Sequence, residues 1–125
     1  MKLKFFICRT CGNLVEMIEA SGVPIVCCGK PMEELIPNTV EAATEKHIPV
    51  YEVNGNIVNV KVAEVEHPMT KEHYIKWIVL KTNKGVQRKE LNYTAKPFAN
   101  FTISKDEKVE EVYAYCNLHG LWKNK

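Results

Sequence analysis

The sequence has no long hydrophobic run. Although 46% of its 125 residues are hydrophobic, no apolar stretch approaches the roughly 18 residues that a membrane-spanning helix needs, so no membrane partner is expected. The opening MKLKFFICRT follows its lysines with only three apolar residues and has no small-residue cleavage site. A secretory leader is therefore not expected and a cytoplasmic setting is. A basic stripe is missing too. Seventeen basic and 15 acidic residues are interspersed, for a net charge of +2, which offers no surface for neutralising phosphates and argues against a nucleic-acid partner. Histidine is scarce, with four residues and none before position 47. Cysteine is odd in number, and four of the five crowd into the first 28 residues. An odd count in a chain without an export signal argues against a disulfide framework and for metal binding.

Cys8 and Cys11 form a Cys-x-x-Cys pair, followed after fifteen residues by the adjacent Cys27 and Cys28. Four thiolates converging on one ion suit tetrahedral zinc or iron, and a structural zinc ribbon remains an alternative on spacing alone. Adjacent cysteines are unusual, because ligands two residues apart normally turn the chain around the metal. Cys27 and Cys28 would have to splay. A module of this size is below the length at which a hydrophobic core usually suffices, so it needs its metal. The composition changes at Ile36-Pro37, where proline discourages continuation of the preceding element, and a boundary is expected there: 1–36 and 37–125.

Beyond the boundary, Asn38 with Glu41 three residues on reads as a helix start, with helical turns over 39–45. From residue 50 the pattern has period two. Asn54-Gly55 is the expected hairpin turn. Val58, Val60 and Val62 alternate with polar residues, while Ala63 and Val65 on the other parity indicate a bulge or bend. His73, Ile75, Trp77 and Val79 are expected on one face of a strand that ends at Asn83-Lys84-Gly85. Ala99, Phe101 and Ile103 should share a face of another strand, and Val112, Ala114 and Cys116 a face of the last. The expected fold class is mainly β: a small metal-binding N-terminal domain followed by an immunoglobulin-like antiparallel β-sandwich.

Taken singly, each of His47, His67, His73 and His119 reads as a surface or core residue. Their placement at strand ends and in loops instead suits a site built at one edge of a sandwich, with Cys116 as its soft donor. A blue-copper site would want a methionine soon after the last histidine; none follows His119, and four histidines are in surplus. Zinc prefers four ligands in all, whereas five ligands with one position open suit ferrous iron. Trp122 and Tyr115 read as packing residues.

The motifs Cys8-Arg9-Thr10-Cys11-Gly12-Asn13, Cys27-Cys28-Gly29, Asn38-Thr39-Val40, Glu45-Lys46-His47-Ile48-Pro49-Val50, His67-Pro68-Met69, His73-Tyr74-Ile75 and Cys116-Asn117-Leu118-His119-Gly120 resemble those of desulfoferrodoxin, the two-iron form of superoxide reductase. The resemblance covers essentially the whole chain. It implies a desulforedoxin-like domain in which Cys8, Cys11, Cys27 and Cys28 hold a first iron. It also implies a second iron with His47, His67, His73 and His119 equatorial and Cys116 axial. The implied reaction is one-electron reduction of superoxide to hydrogen peroxide without release of oxygen, at a position left open in the ferrous site. The resemblance further implies a rubredoxin-like electron donor and a homodimer. Lys46 is expected to attract the anion and orient a proton-donating water. Glu45 resembles the carboxylate that takes the open position when the iron is ferric. A solvated lysine and a solvated helix-end glutamate are the alternatives for these two residues, and an electron carrier working through its first centre is the alternative for the whole chain.

Overall fold

The computed structural model describes residues 2–125, which divide into two compact units, Met1–Ile36 and Pro37–Lys125. The first contains β1 (Lys4–Ile7), β2 (Leu14–Met17), β3 (Val26–Cys27), β4 (Lys30–Pro31) and β5 (Glu33–Glu34). Strands β2, β1 and β5 form a three-stranded sheet in that order, and β3 and β4 pair as a separate two-stranded ribbon. Leu3, Phe5, Ile7, Cys8 and Leu35 are the buried apolar residues of this unit. So few side chains cannot offset the chain entropy of folding alone, and a metal is needed to close the balance.

The second unit begins with one turn of helix, α1 (Thr44–His47), followed by β6 (Val50–Asn54), β7 (Ile57–Lys61), β8 (Ile75–Thr82), β9 (Gly85–Glu90), β10 (Phe98–Thr102), β11 (Val109–Cys116) and β12 (Gly120–Lys123). Two antiparallel sheets, ordered β10-β7-β6 and β12-β11-β8-β9, supply the two inner faces of the sandwich. Val58, Val60, Ala99 and Phe101 from the first sheet meet Ile75, Ile78, Leu80, Val112, Ala114 and Cys116 from the second in one buried cluster. The period-two patterns of β7 and β10 are thus realised, because each of these strands buries one face only, whereas β11 turns Val112, Ala114 and Cys116 to the core as expected but buries Tyr113 and Tyr115 on its other face as well.

Three local expectations are corrected. The helix does not run over 39–45. Asn38 adopts a left-handed φ of 64°, and its carboxamide bonds the main chain of Lys123 at both ends, receiving from its N–H at 2.8 Å and donating to its carbonyl at 3.1 Å. A side chain used in this way cannot cap a helix, which starts only at Thr44.

The hairpin loop is shifted by one residue. Asn54 pairs with Ile57, leaving Gly55-Asn56 as the loop, with Gly55 at φ 62°. Glycine in the first loop position is the requirement of a type II′ turn, whereas an Asn-Gly loop is the type I′ solution.

On β8, the expected single face of Ile75, Trp77 and Val79 is broken by a register shift between Tyr115 and Cys116. Tyr115 opposes Trp77, but Cys116 opposes Ile75. The extra residue, Lys76, moves Ile75 onto the core face with Ile78 and Leu80 and sends Trp77 to the other face, where it stacks on Tyr115 at 5.3 Å. His73 lies two residues before the strand, in the loop. Phe101 is 1% exposed at the centre of the core, so Phe101→Ala should lower the stability of the sandwich by about 3–5 kcal/mol in denaturant unfolding.

Candidate metal centres

The Sγ atoms of Cys8, Cys11, Cys27 and Cys28 lie within 4.8 Å of one another. The first pair is presented by a closed loop after β1. The Cys8 carbonyl receives the Gly12 N–H, and the Cys8 N–H donates to the Asn13 carbonyl, both at 2.8 Å. The second pair is presented by a hairpin. Cys27 pairs with Lys30 across the ribbon, so Cys28-Gly29 is a two-residue loop, with φ of 52° and 74°. Two successive positive φ values are the signature of a type I′ turn. Cys27 therefore projects from a strand and Cys28 from a reversing turn, which lets adjacent residues serve one point. Sequence spacing alone did not reveal this. The Asn13 carboxamide, at 3.7 Å from Cys27 Sγ, is a donor that sequence reasoning missed. Hydrogen bonding with Cys11 and its neighbours lowers the Cys8 thiol to about 6, while competition for protons within the cluster raises Cys28 to about 12. Such a set shares negative charge poorly without a cation, and a soft divalent ion removes the conflict.

The second cluster lies at one end of the sandwich, where the antiparallel register brings together the starts of β6, β8 and β12 and the ends of β7 and β11. His47 closes α1, His67 and His73 occupy the loop between β7 and β8, Cys116 ends β11, and His119 lies in the three-residue turn to β12. Around the ring His47, His67, His73, His119, successive imidazole centroids are 4.7, 4.7, 5.0 and 4.9 Å apart, and the His47–His73 diagonal is 6.4 Å. Neighbouring rings are nearly perpendicular, at 77–87°. This is a square pinwheel of imidazoles. Donor atoms of His47, His67, His73 and Cys116 lie within 4.8 Å of one another. His119 is outside that mutual set but adjoins it, with Nδ1 at 3.1 Å from His47 Nε2 and 3.8 Å from Cys116 Sγ.

The inward nitrogens are not equivalent. His47 and His67 each bond a backbone carbonyl through Nδ1, Ala43 and Pro68 respectively, both at 2.7 Å, which leaves Nε2 for the centre. His119 presents Nδ1, because three residues after Cys116 its backbone is already close. The Nε2 atoms of His67 and His73 are buried and have no hydrogen-bond partner among the described residues. Burying an unpaired nitrogen costs about 1–3 kcal/mol, so two facing one point call for a cation that takes both lone pairs. Burial lowers the pKa of His47, His67 and His73, His67 to about 4, so all three are neutral donors near pH 7. Burial raises the Cys116 thiol against the N–H groups of His119 and Leu118, which bond its sulfur. Four nitrogens and one sulfur form a donor set with affinity for a borderline transition metal.

Trp122 is 1% exposed. It packs on His47 with centroids 4.9 Å apart and donates its indole N–H to the His119 carbonyl at 3.1 Å. Met69 uses its sulfur to accept the Ile75 N–H at 3.4 Å, an engagement unsuited to a copper axial ligand. Lys46 is exposed, and its charge contributes to lowering the His47 pKa. Glu45 lines a groove of about 300 Å³ with Thr44, Pro49, Tyr51 and Glu64, and none of the four imidazoles is part of that lining.

The desulfoferrodoxin family model matches residues 39–125, and that for the desulfoferrodoxin N-terminal domain matches residues 1–35. The chain belongs to the desulfoferrodoxin family. It is 47% identical over 124 residues to the desulfoferrodoxin of Syntrophotalea carbinolica, covering 98% of this chain and 96% of that one. A desulfoferrodoxin homolog of Archaeoglobus fulgidus is 43% identical over 122 residues, with the same coverage. The crystal structure of the superoxide reductase from Treponema pallidum matches with a TM-score of 0.85 at 45% identity, over 100% of both chains. The four-cysteine and histidine–cysteine clusters are consistent with the two iron centres of a desulfoferrodoxin.

Two outcomes are expected. Stripping metal with a chelator should unfold the Met1–Ile36 unit, seen as lost amide protection for β1 and β2, while β8 and β11 stay protected. In the stripped chain, His67 binds a proton at about 4 when folded and at about 6.5 when unfolded. Its contribution to stability is complete above about 6.5 and is lost as pH falls towards about 4, by on the order of 3 kcal/mol, with His47 and His73 adding in the same direction. Denaturant midpoints at pH 7.5 and 5 measure it.

Proposed function

We propose that this chain is a superoxide reductase, combining superoxide with one electron and two protons to give hydrogen peroxide, with no oxygen formed. The observation that carries the reading is the convergence of four imidazoles and Cys116 Sγ at one end of the sandwich, two of the nitrogens being buried and unpaired. In this reading the unit 1–36 is the desulforedoxin-like domain, in which Cys8, Cys11, Cys27 and Cys28 hold one iron. The unit 37–125 holds the other through His47, His67, His73, His119 and Cys116. Iron at the second site, when bound, supplies the electron that superoxide takes.

The chain's own groups do the rest. The carbonyls of Ala43 and Pro68 orient two imidazoles, so their free lone pairs are already aimed before any ion arrives. Donation from Leu118 and His119 N–H groups to the Cys116 sulfur offsets burial and tempers how much electron density the thiolate gives up. Lys46, exposed beside His47, is the group placed to raise the local concentration of a small anion and to orient a proton-donating water. Glu45 is the carboxylate proposed for the open position of the oxidised site. Glu45 lines the neighbouring groove, next in the chain but one to His47.

A rubredoxin-like electron donor, a role in electron transport and antioxidant detoxification, a cytoplasmic setting and assembly as a homodimer complete the proposal. They rest on the family resemblance, with the free state of the cysteines in keeping.

Anaerobic pulse generation of superoxide against the reduced protein tests the reading. The wild-type chain should consume superoxide with a rise in ferric-thiolate absorption as its iron is oxidised, and without oxygen release. Cys116→Ser should abolish the second-site signal, and Lys46→Ala should slow the encounter several-fold and flatten its salt dependence. An unchanged rate for Lys46→Ala at low ionic strength would remove the steering role.

A further inference from the structure

The four imidazoles are not held in the same way. His47 and His67 each have a ring nitrogen locked onto a backbone carbonyl at 2.7 Å. His73 has no such bond. Among the described residues no carbonyl receives its ring, and its other nitrogen, Nε2, is buried and unpaired. The aim of the His73 ring therefore depends on where its main chain is held.

That main chain is gripped from two sides. Thr70 takes one: its carbonyl and hydroxyl both receive the His73 N–H, at 3.2 and 3.1 Å, and its own N–H reaches the His73 carbonyl at 2.9 Å. Asn117 takes the other. Its Oδ1 receives the Tyr74 N–H at 2.9 Å and its Nδ2 donates to the Glu72 carbonyl at 2.9 Å, so the carboxamide spans His73 from the residue before to the residue after. The Asn117 main-chain N–H adds a third bond, to the Tyr74 carbonyl at 3.2 Å.

Asn117 is also the first of the two residues between the sulfur and the fourth imidazole in Cys116-x-x-His119. We propose that Asn117 is a positioning residue: its carboxamide fixes the His73 imidazole relative to Cys116 and His119, so that ligands from two separate loops share one centre. The chemistry is specific. The acceptor and the donor of a carboxamide are both used on peptide groups, in the manner of a strand partner. A carboxylate has no donor for the Glu72 carbonyl, and a shortened side chain reaches neither group. The inference rests on the metal-centre reading above.

Cobalt(II) loading of the full chain tests it. Cobalt at the second centre should give a thiolate charge-transfer absorption, assigned by its loss in Cys116→Ser, and competition with a chelator gives its affinity. Asn117→Ala should weaken cobalt binding by about 10- to 100-fold, as is usual when a group supporting a metal ligand is removed. In a His73→Ala background the same change should cost less than about twofold, because its effect runs through His73. Equal losses in both backgrounds would mean a general loosening of the loop and would overturn the proposal, as would an unchanged affinity in Asn117→Ala. Should Asn117→Ala fail to fold by circular dichroism, Asn117→Asp, which keeps the shape and the acceptor for Tyr74, is read by the same comparison. A wild-type chain with no Cys116-dependent absorption would sink the metal-centre reading itself, a result distinct from failure of the Asn117 step.

Discussion

Crowding four imidazoles and a thiol into one buried corner is the constraint on which the second unit is organised. Nothing about that arrangement is favourable by itself. Desolvation opposes charging of His47, His67 and His73, and two nitrogens have given up water without gaining a partner. The surrounding β-sandwich supplies the compensating energy, with Val58, Val60, Ile75, Ile78, Leu80, Val112 and Ala114 wholly buried beside it. Rigidity follows from the same packing. Cys116 sits in that core cluster at 0% exposure and is at once a core residue and a ligand candidate, so the position of its sulfur is set by the sheet.

The remaining donors come from loops, and loops must be tied. Backbone carbonyls hold the rings of His47 and His67, and Trp122 packs on His47 while bonding the His119 carbonyl. Asparagines do much of the remaining tying by imitating peptide groups: Asn38 on Lys123, Asn117 across His73, and Asn124 on Val112, whose N–H its Oδ1 receives at 2.8 Å. A carboxamide can satisfy a donor and an acceptor where a loop leaves the ladder, which a hydrophobic side chain cannot. The four-cysteine unit solves the same problem over a much shorter span. Its ligands come from one closed loop and one hairpin, and left-handed backbone at Cys28 and Gly29 provides the sharp reversal.

The sequence was read well where one residue type carries one physical demand. Alternation along β7 and β10 marked the buried faces, since a strand covered on one side must alternate, and along β11 it marked the core face although the other face is covered too. It was misread where the chain has two ways to satisfy the same group. Asn38 has the chemistry of a helix cap and is used on β12 instead. Asn54-Gly55-Asn56 holds overlapping turn signals, and strand pairing chose the later pair. The bulge at Lys76 leaves no trace in composition, because it is a matter of register between β8 and β11.

By itself, the sequence determined the donor inventory: five cysteines and four histidines, in motifs specific enough to name a family, with too few core residues in the first 36 positions to fold without help. Chemistry of that kind is carried by side-chain identity and survives without coordinates. Only the tertiary structure decided which nitrogen of each imidazole faces inward, how adjacent cysteines reach one point, and what holds His73. Those are properties of backbone direction and of contacts between segments as far apart as His47 and His119, and no local pattern encodes the distance between two loops until the sheets beneath them have paired.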